Sequence, residues 1–237
     1  WQHSRIPASY RAKVAVVHDG VDTKRLRPEA QPSVTLGDGL HFDGRTPLVT
    51  YVARNLEPYR GFHIFMRAVQ PILDANPTAH IVIVGEDDVS YGARLPRGET
   101  YRARALAENP VDESRVHFVG KLPYETFCKL LQVSNAHVYL TYPFVLSWSM
   151  LEAMASECLL IGSRTAPVEE VITDGANGLL VDFFDPDEIA ETVTHALREQ
   201  EASRLMRQRA RQTVVDRYDL ERVCLPRQLS LVAEMIS

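Results

Sequence analysis

The sequence is poor in cysteine, and its three cysteines form no recognisable motif. Cys128, Cys158 and Cys224 lie far apart in apolar surroundings, which favours reduced thiols in the core of a cytoplasmic protein over a disulfide framework. Neither Cys-x-x-Cys nor His-Glu-x-x-His occurs, and the eight histidines include no i, i+4 pair. The sequence therefore predicts no metal site.

Long apolar runs and blocks of positive charge are also missing. No uninterrupted apolar stretch approaches the roughly 20 residues of a transmembrane helix, and the N-terminus, WQHSRIPASYRAK, does not resemble a signal peptide. The formal net charge is -5 with a pI of about 5.9, so the usual electrostatic footprint of a nucleic-acid or anionic-membrane binder is absent. We expect a cytoplasmic protein with a small ligand, no membrane span and no nucleic-acid partner.

The common glycine-rich phosphate motifs do not occur either. There is no GxxxxGK[ST] sequence, and the nearest approach to GxGxxG, at Gly37 and Gly39, precedes the first strong strand and is not followed by a helix. These absences argue against a P-loop NTPase and against a dinucleotide-dependent dehydrogenase.

The chain does contain a regular alternation of short apolar runs and longer helical patterns. The runs are rich in Val, Ile and Leu, which is typical of strands buried on both faces of a parallel sheet. Strands are predicted at 47–53, 80–85, 115–120, 136–141, 158–163 and 178–181. Helices are predicted at 61–75, 99–108, 123–133, 148–157, 167–173, 186–198, 200–217 and 219–235.

This pattern indicates an α/β fold with a doubly wound, Rossmann-like parallel sheet of about six strands and helices on both faces. The helix at 186–198 has a clear start signal, since Asp185 is a good N-cap and Pro186 suits the first helical position. Before the first strong strand, VAVVH (14–18) predicts a short strand, and the stretch 28–47, rich in Gly, Asp and Pro, predicts a loop.

If the six strands take the order 3-2-1-4-5-6, the topological switch point lies between the first and fourth strands, and a ligand binds at their carboxyl ends. Arg54 and Arg60 follow the first strand, and guanidinium groups match phosphate oxygens. The fourth strand leads to Ser147, a candidate N-cap, and to a helix start whose dipole favours anions. The backbone N–H groups expected to be free there are those of Trp148, Ser149 and Met150. Each feature alone has an ordinary reading as a solvated arginine or a plain cap, but together they predict an anion site.

Glu152 is a carboxylate inside the apolar run YPFVLSWSMLEAM. A carboxylate is seldom buried unless it is paired. Either it lies on a wet face of its helix, where the dipole would favour it, or it holds a ligand.

Five segments resemble one known family. They are VAVVHDGVDTKRLRP, VARNLEPYRG, HIVIVGEDD, VHFVGKLPYE and LEAMASECLLIGSRTAPVEEVITDGANGLLVDFFDPDEIA. The chain resembles the C-terminal, nucleotide-sugar-binding domain of GT-B retaining glycosyltransferases of family 4, the glycosyl transferases group 1. The resemblance implies an inter-domain segment at 1–28 and a Rossmann-like nucleotide-sugar-binding domain at 29–218. Residues 219–237 would form a C-terminal helix that crosses back to a missing N-terminal, acceptor-binding domain.

The resemblance also implies roles for individual residues. Glu152 matches the second glutamate of the family's E-x7-E motif, which binds the ribose hydroxyls of the nucleotide. Arg54 and Arg60 match the pair that clamps the donor diphosphate, with arginine in place of the usual lysine. The anion site predicted above at the helix start, Ser147 to Met150, would bind the same diphosphate. The base would be framed by Gly120, Lys121 and Leu122.

The sequence departs from the family at Phe144. The first glutamate of the motif usually occupies this position, eight residues before Glu152, close to the donor sugar, and here the residue is aromatic. The residues expected near the sugar are therefore Phe144, Val145 and Leu146. The resemblance supports nucleotide binding more strongly than any particular sugar contact.

The resemblance therefore implies the donor-binding domain of a hexosyltransferase. It would transfer a sugar from a UDP, GDP or ADP sugar to a glycan or lipid-linked acceptor with retention, and this chain alone would be inactive. No cofactor or metal is expected, and Asp87 and Asp88 are interpreted as a solvated loop pair. The alternatives are a non-catalytic nucleotide-binding module of the same fold and half of a nucleotide-sugar 2-epimerase. If a partner domain is missing, the apolar side chains of the last helix, at Leu225, Leu229, Val232 and Met235, should be under-packed.

Overall fold

The computed structural model describes residues 1–37 and 39–236, and a parallel sheet of six strands forms its centre. In chain order the strands are β1 (Val34–Leu36), β2 (Leu40–Phe42), β3 (Leu48–Asn55), β4 (His80–Glu86), β5 (Val116–Gly120), β6 (Ala136–Tyr139), β7 (Leu159–Ser163) and β8 (Leu179–Val181). The main sheet has the order β5-β4-β3-β6-β7-β8 with every neighbouring pair parallel. This is the predicted 3-2-1-4-5-6 order, and the predicted fold class is confirmed.

Helices cover both faces of the sheet. They are α1 (Gln2–Arg5), α2 (Ala8–Arg11), α3 (Phe62–Ala75), α4 (Tyr101–Glu108), α5 (Tyr124–Val133), α6 (Trp148–Ala155), α7 (Ala166–Glu169), α8 (Pro186–Arg198), α9 (Arg204–Arg217) and α10 (Leu225–Ile236). A 3-10 turn covers Pro58–Arg60 and a π-helical turn covers Leu220–Cys224. The cap of α8 is the predicted one, because the Asp185 carboxylate accepts from the backbone N–H groups of Asp187 and Glu188 at 3.0 and 2.9 Å.

Two predictions for the first part of the chain are wrong. Residues 14–18 form no strand. The strand-like contact nearest to them in this part of the chain is an isolated bridge between Val21 and Asp219. The stretch 28–47 is not entirely loop, since β1 and β2 pair as an antiparallel hairpin. The hairpin buries Val34, Leu36 and Phe42 against the sheet. In VTL, buried and exposed side chains alternate, as is typical of a strand, but the surrounding Gly, Asp and Pro residues obscure this signal in the sequence.

The other element boundaries agree with the predictions to within a few residues at most ends. The helix predicted at 167–173 is shorter, ending at Glu169, and the one predicted at 148–157 ends at Ala155. Just beyond that second end, Glu157 has a left-handed backbone with φ of 60°, which no continuing α-helix tolerates. The three cysteines are buried and unpaired, as expected of core thiols.

The last helix carries an uncovered apolar stripe. Leu225, Leu229, Val232 and Met235 are 40%, 61%, 52% and 80% exposed. The prediction that these side chains are under-packed is therefore confirmed. Within the described residues, no helix is both long enough and apolar enough to cross a membrane.

His137 on β6 makes the stability of the fold sensitive to acid. The side chain is fully buried, its Nδ1 lies 2.9 Å from the Thr50 hydroxyl, and in the described part of the chain its Nε2 has no partner. Burial lowers the pKa of His137 from 6.5 to about 3. Between these values the unfolded chain binds a proton that the folded protein excludes, so His137 alone lowers the free energy of unfolding by about 1.4 kcal/mol per pH unit as the pH drops below 6.5.

We expect urea unfolding at pH 7.5 and pH 5.0 to show this dependence in the wild type and much less of it in His137→Gln. The variant should lose roughly 2 kcal/mol less than the wild type over this interval. His195→Gln, at an exposed position of α8, is the matched control and should keep the wild-type slope. Equal slopes in wild type and His137→Gln would contradict the assignment.

Candidate functional site

The candidate site lies at the carboxyl ends of β3 and β6, which are parallel neighbours at the switch point of the sheet. Arg54 is the last residue but one of β3, and Ser147 immediately precedes α6. The fold therefore brings the arginine wall and the start of α6 to one edge of the sheet, as the strand order predicts.

Arg60 is held rigidly at this edge, with part of its guanidinium left unused. It ends the 3-10 turn and is only 8% exposed. Its Nη1 donates to the hydroxyls of Tyr139 (3.1 Å) and Thr141 (2.9 Å) and to the Val145 carbonyl (2.9 Å). Its Nε and Nη2 donate to no atom of the described residues, and no described carboxylate forms an ion pair with it. A fixed guanidinium with free donors is suited to an anionic ligand.

Gly61 explains how the chain turns so sharply after Arg60. Its φ is +70°, and a Cβ built on it would lie 2.5 Å from the Cβ of Leu140 on the β6 side. Glycine is therefore required both for the left-handed backbone and for the close approach of α3 to β6.

The Arg54 side chain is exposed and makes no hydrogen bond or ion pair with any described residue. The chain as a whole is acidic, and its other arginines near carboxylates form ion pairs, for example Arg102 with Asp87 and Arg164 with Asp174. Neither Arg54 nor Arg60 forms such a pair with a described residue, so both guanidinium groups remain available to an anionic ligand.

The opposite wall is the start of α6, and it differs in two details from the prediction. Ser147 occupies the N-cap position, but its hydroxyl caps no backbone N–H; it accepts from the Ser149 hydroxyl at 3.1 Å. The Met150 N–H donates to the Ser147 carbonyl at 3.3 Å and is not free. The N–H groups of Trp148 and Ser149 have no acceptor among the described residues and remain available to an anion.

Glu152 does not lie on a wet helix face. It is 8% exposed, and its Oε1 accepts a hydrogen bond of 2.8 Å from the Tyr124 hydroxyl. Within residues 1–37 and 39–236 this is the only hydrogen bond to its carboxylate, and burial raises the pKa of Glu152. A buried carboxylate with one donor and an open oxygen is incompletely satisfied, which favours a ligand as its second partner.

Sequence analysis missed Tyr124. The residue begins α5, two positions after the segment expected to frame a base, and its ring lies 4.7 Å from the Arg25 guanidinium carbon. The LPYE sequence contains it, but no spacing rule links it to a glutamate 28 residues later. Only the packing of α5 beside α6 makes the pair.

The predicted base-framing residues lie at the exit of β5, two strands from β3. Gly120 has a φ of +62°, and a Cβ there would meet nothing within 4 Å. Lys121 is exposed, and Leu122 packs on the core beneath. The backbone at Gly120 is therefore open to a ligand, and the Tyr124–Glu152 bond ties this strand exit to α6.

Sequence analysis also missed Glu57, which holds the loop after β4. Its carboxylate is 1% exposed and accepts from the backbone N–H groups of Ser90 (3.2 Å), Tyr91 (3.0 Å) and Gly92 (2.7 Å). This loop brings the Tyr91 ring to 5.0 Å from that of Phe144. Phe144 is thus part of an aromatic contact beside Arg60, whose guanidinium carbon lies 5.5 Å from the Phe144 ring centre.

A cavity of about 620 Å³ adjoins the α6 wall. It lies between the loop 144–148 and the N-terminal residues 14–20, and the Trp148 indole donates to Asp19 across it at 3.0 Å. Arg54, Arg60 and Glu152 do not line this cavity. The cavity lining does include Phe144, Val145 and Leu146, the residues expected near the sugar, together with Ser147 and Trp148.

Asp87 is not the solvated residue that sequence analysis expects, because it pairs with Arg102 at 2.5 Å and its Oδ1 is buried. In the part of the chain that the structure describes, no group of three or more His, Cys, Asp or Glu side chains is arranged to hold a metal ion.

Comparison with known proteins adds independent observations. Residues 38–213 match the family model described as "Glycosyl transferases group 1". The chain is 28% identical over 189 residues to a D-inositol 3-phosphate glycosyltransferase of Acidothermus cellulolyticus, covering 78% of this chain and 40% of that protein. It is 31% identical over 118 residues to the N-acetyl-alpha-D-glucosaminyl L-malate synthase of Bacillus anthracis, covering 50% and 30%. The chain spans less than half the length of these relatives.

Solved structures share the fold. Anabaena Alr3699/HepE, crystallised with UDP-glucose, superposes with a TM-score of 0.72 at 15% identity over 92% of this chain and 57% of that chain. The C-terminal domain of LpcC from Francisella tularensis superposes with a TM-score of 0.69 at 19% identity, covering 85% of this chain and 100% of that chain.

Proposed function

This chain belongs to the glycosyl transferases group 1 family, and we propose that it is the donor-binding, C-terminal domain of a retaining family 4 hexosyltransferase. It binds a nucleoside diphosphate sugar, and the complete enzyme transfers the sugar to a glycan or lipid-linked acceptor held by an N-terminal domain. The uncovered stripe of α10 is the surface that would return to that domain, and without the domain the chain is inactive.

The observation that carries this proposal is that unpaired arginine side chains lie at the end of β3 and just after it, while unpaired backbone N–H groups begin α6, on the other side of the switch point. The unused donors of Arg60, the Arg54 guanidinium and the open N–H groups of Trp148 and Ser149 belong to the same edge of the sheet, and neither arginine forms an ion pair with a described residue. A diphosphate carries the complementary charge, and helix starts bind phosphate through the same groups.

The same groups suit the chemistry. When a sugar leaves its nucleotide, negative charge develops on the diphosphate, and prepositioned donors stabilise that charge without reorganising. The internal bonds of Arg60 hold it in place before the reaction begins. In this arrangement the open oxygen of Glu152 accepts from a ribose hydroxyl, and the backbone at Gly120, Lys121 and Leu122 faces the base.

The relatives support this assignment. The fold is that of GT-B glycosyltransferase structures, one of which holds UDP-glucose, and the two curated relatives described above are named as a glycosyltransferase and a synthase. A cytoplasmic location and the absence of a cofactor belong to the same proposal.

Phe144 favours a second candidate function. A non-catalytic module that binds a nucleotide and has lost the sugar contact would tolerate an aromatic residue at this position. The two functions differ in whether a sugar on the nucleotide changes its affinity.

A thermal-shift screen of the 237-residue chain tests nucleotide binding. UDP, GDP, ADP and their sugars would each be added, and we expect one base to raise Tm. Binding at a hundred times Kd stabilises the folded state by about 2.7 kcal/mol, or roughly 5–10 °C for a chain of this size. Inorganic pyrophosphate is the control for phosphate binding alone and should give a smaller shift. No shift with any of the nucleotides at millimolar concentration would contradict the proposal.

A further inference from the structure

The loop after β4 is fastened beside the candidate site by a single buried carboxylate. Glu57 accepts from three successive backbone N–H groups, those of residues 90 to 92. Charge-assisted bonds of this kind are about twice as strong as neutral ones. The Glu57 side chain is 1% exposed and forms no ion pair with a described residue, so its charge is balanced by these N–H groups.

The loop delivers one aromatic side chain to the site. Tyr91 lies edge-on to Phe144, with ring centres 5.0 Å apart and planes at 63°. The Arg60 guanidinium carbon lies 5.8 Å from the Tyr91 ring and 5.5 Å from the Phe144 ring. Both rings therefore flank the group assigned to the diphosphate. Tyr91 is 43% exposed, so much of its ring is open to a ligand.

The proposed contacts set the direction of a bound nucleotide. Phe144 precedes the start of α6, and Glu152 lies beyond it inside the helix. A diphosphate at the helix start and Arg60 therefore has one end toward Glu152, where the ribose is proposed to bind. Its other end, which carries the sugar, points toward Phe144 and Tyr91.

We infer that Tyr91 and Phe144 form an aromatic wall for the donor sugar, and that Glu57 is the positioning residue that holds this wall in place. The inference rests on the proposed function. The apolar C–H face of a pyranose packs on aromatic rings, and neither ring supplies the carboxylate oxygens that would select hydroxyl groups. The donor is thus a nucleoside diphosphate pyranose held at its sugar by face packing.

The test compares two ligands that contain the same base, and the thermal-shift screen determines which base is used. Calorimetric titration would measure Kd for the nucleoside diphosphate and for its hexose derivative, for example UDP and UDP-glucose. We expect Phe144→Ala and Tyr91→Ala to weaken hexose derivative binding about five- to tenfold more than nucleoside diphosphate binding, since aromatic contacts contribute on this scale. An equal loss of affinity for both ligands, or no loss for either, would overturn the inference that Tyr91 and Phe144 contact the sugar.

A double-mutant cycle tests the role of Glu57. Glu57→Gln should reproduce the selective loss, and in a Tyr91→Ala background it should cause little further loss, because it acts through Tyr91. A purely structural Glu57 would instead give losses that are additive and equal for both ligands, which overturns the positioning role. Glu99→Gln, which removes an exposed ion pair with Arg104 in the same loop region, is the matched control and should leave both affinities unchanged.

The outcomes separate this inference from the proposed function. If no nucleotide binds the wild-type chain, both are overturned. If nucleotides bind and depend on Arg60 and Glu152 but the aromatic variants change nothing selectively, only the wall is overturned. Tyr91 is partly exposed, so Tyr91→Ala remains a usable test even where Glu57→Gln fails to fold.

Discussion

Replacing Arg60 with alanine is expected to weaken binding of the preferred nucleoside diphosphate by about a hundredfold or more. The free Nε and Nη2 can each donate a charge-assisted bond to a phosphate oxygen, and the loss of two such bonds removes at least about 3 kcal/mol. Calorimetric titration of wild type and variant measures the change. Arg60→Lys should recover only part of the affinity, because an ammonium cannot present two donors in one plane.

The structural role of Arg60 has to be separated from its binding role. Its Nη1 satisfies Tyr139, Thr141 and Val145, so Arg60→Ala should also lower the stability of the unliganded protein by roughly 1–3 kcal/mol. Arg211 is the matched control, since its guanidinium donates to the carbonyls of Leu26, Ala155 and Thr23 away from the site. Arg211→Ala should lower stability without changing nucleotide affinity.

Arg54 provides the converse control. It has no partner among the described residues and is exposed, so Arg54→Ala should change the stability by no more than about 0.5 kcal/mol. It should nevertheless weaken nucleotide binding. Wild-type affinity in both Arg54→Ala and Arg60→Ala would mean that the two arginines do not bind the diphosphate.

The sheet was predictable because its signals are local. Most of its strands contain short runs of Val, Ile and Leu that the structure buries, as in β4, where Ile81, Val82 and Ile83 are fully buried. Two of the helices, α4 and α8, also have side-chain caps at their starts, Thr100 and Asp185. Strand order and the handedness of crossovers then leave few arrangements, so the switch point and its two arginines could be placed before any coordinates were known.

The side chains that sequence analysis missed depend on contacts between distant parts of the chain. Glu57 meets the N–H groups of a loop more than 30 residues away, and Tyr124 meets Glu152 across two helices. Neither pair follows a helical or strand period. The hairpin at 34–42 was missed for a different reason, since its strands have only three residues each and turn-forming residues surround them.

Glu152 gives the sharpest test of the nucleotide assignment. If its open oxygen accepts from a ribose hydroxyl, Glu152→Ala should remove roughly 1.5–3 kcal/mol of binding free energy, or about ten- to a hundredfold in Kd. Titration with the 2'- and 3'-deoxy nucleotides assigns the loss, because the variant should no longer prefer the hydroxylated ligand. Glu125→Ala, at an exposed acid on the neighbouring helix α5, should bind like the wild type.

The raised pKa of Glu152 also predicts how nucleotide affinity depends on pH. Burial raises this pKa above its ordinary value of 4.5, and only the ionised carboxylate makes charge-assisted bonds. Nucleotide affinity of the wild type should therefore fall as the pH drops through the raised pKa, whereas Glu152→Gln should bind weakly with little pH dependence in that range.

The Glu152→Gln substitution should weaken nucleotide binding, but it should not lower the stability of the unliganded protein. A group whose folded pKa is raised destabilises the folded state above that pKa, and the cost is relieved on acidification. At pH 7, unliganded Glu152→Gln should therefore be at least as stable as the wild type while binding nucleotide less well. If Glu152 served only to stabilise the fold, Glu152→Gln would lower stability and leave nucleotide binding unchanged. That result would make Glu152 a structural residue of α6.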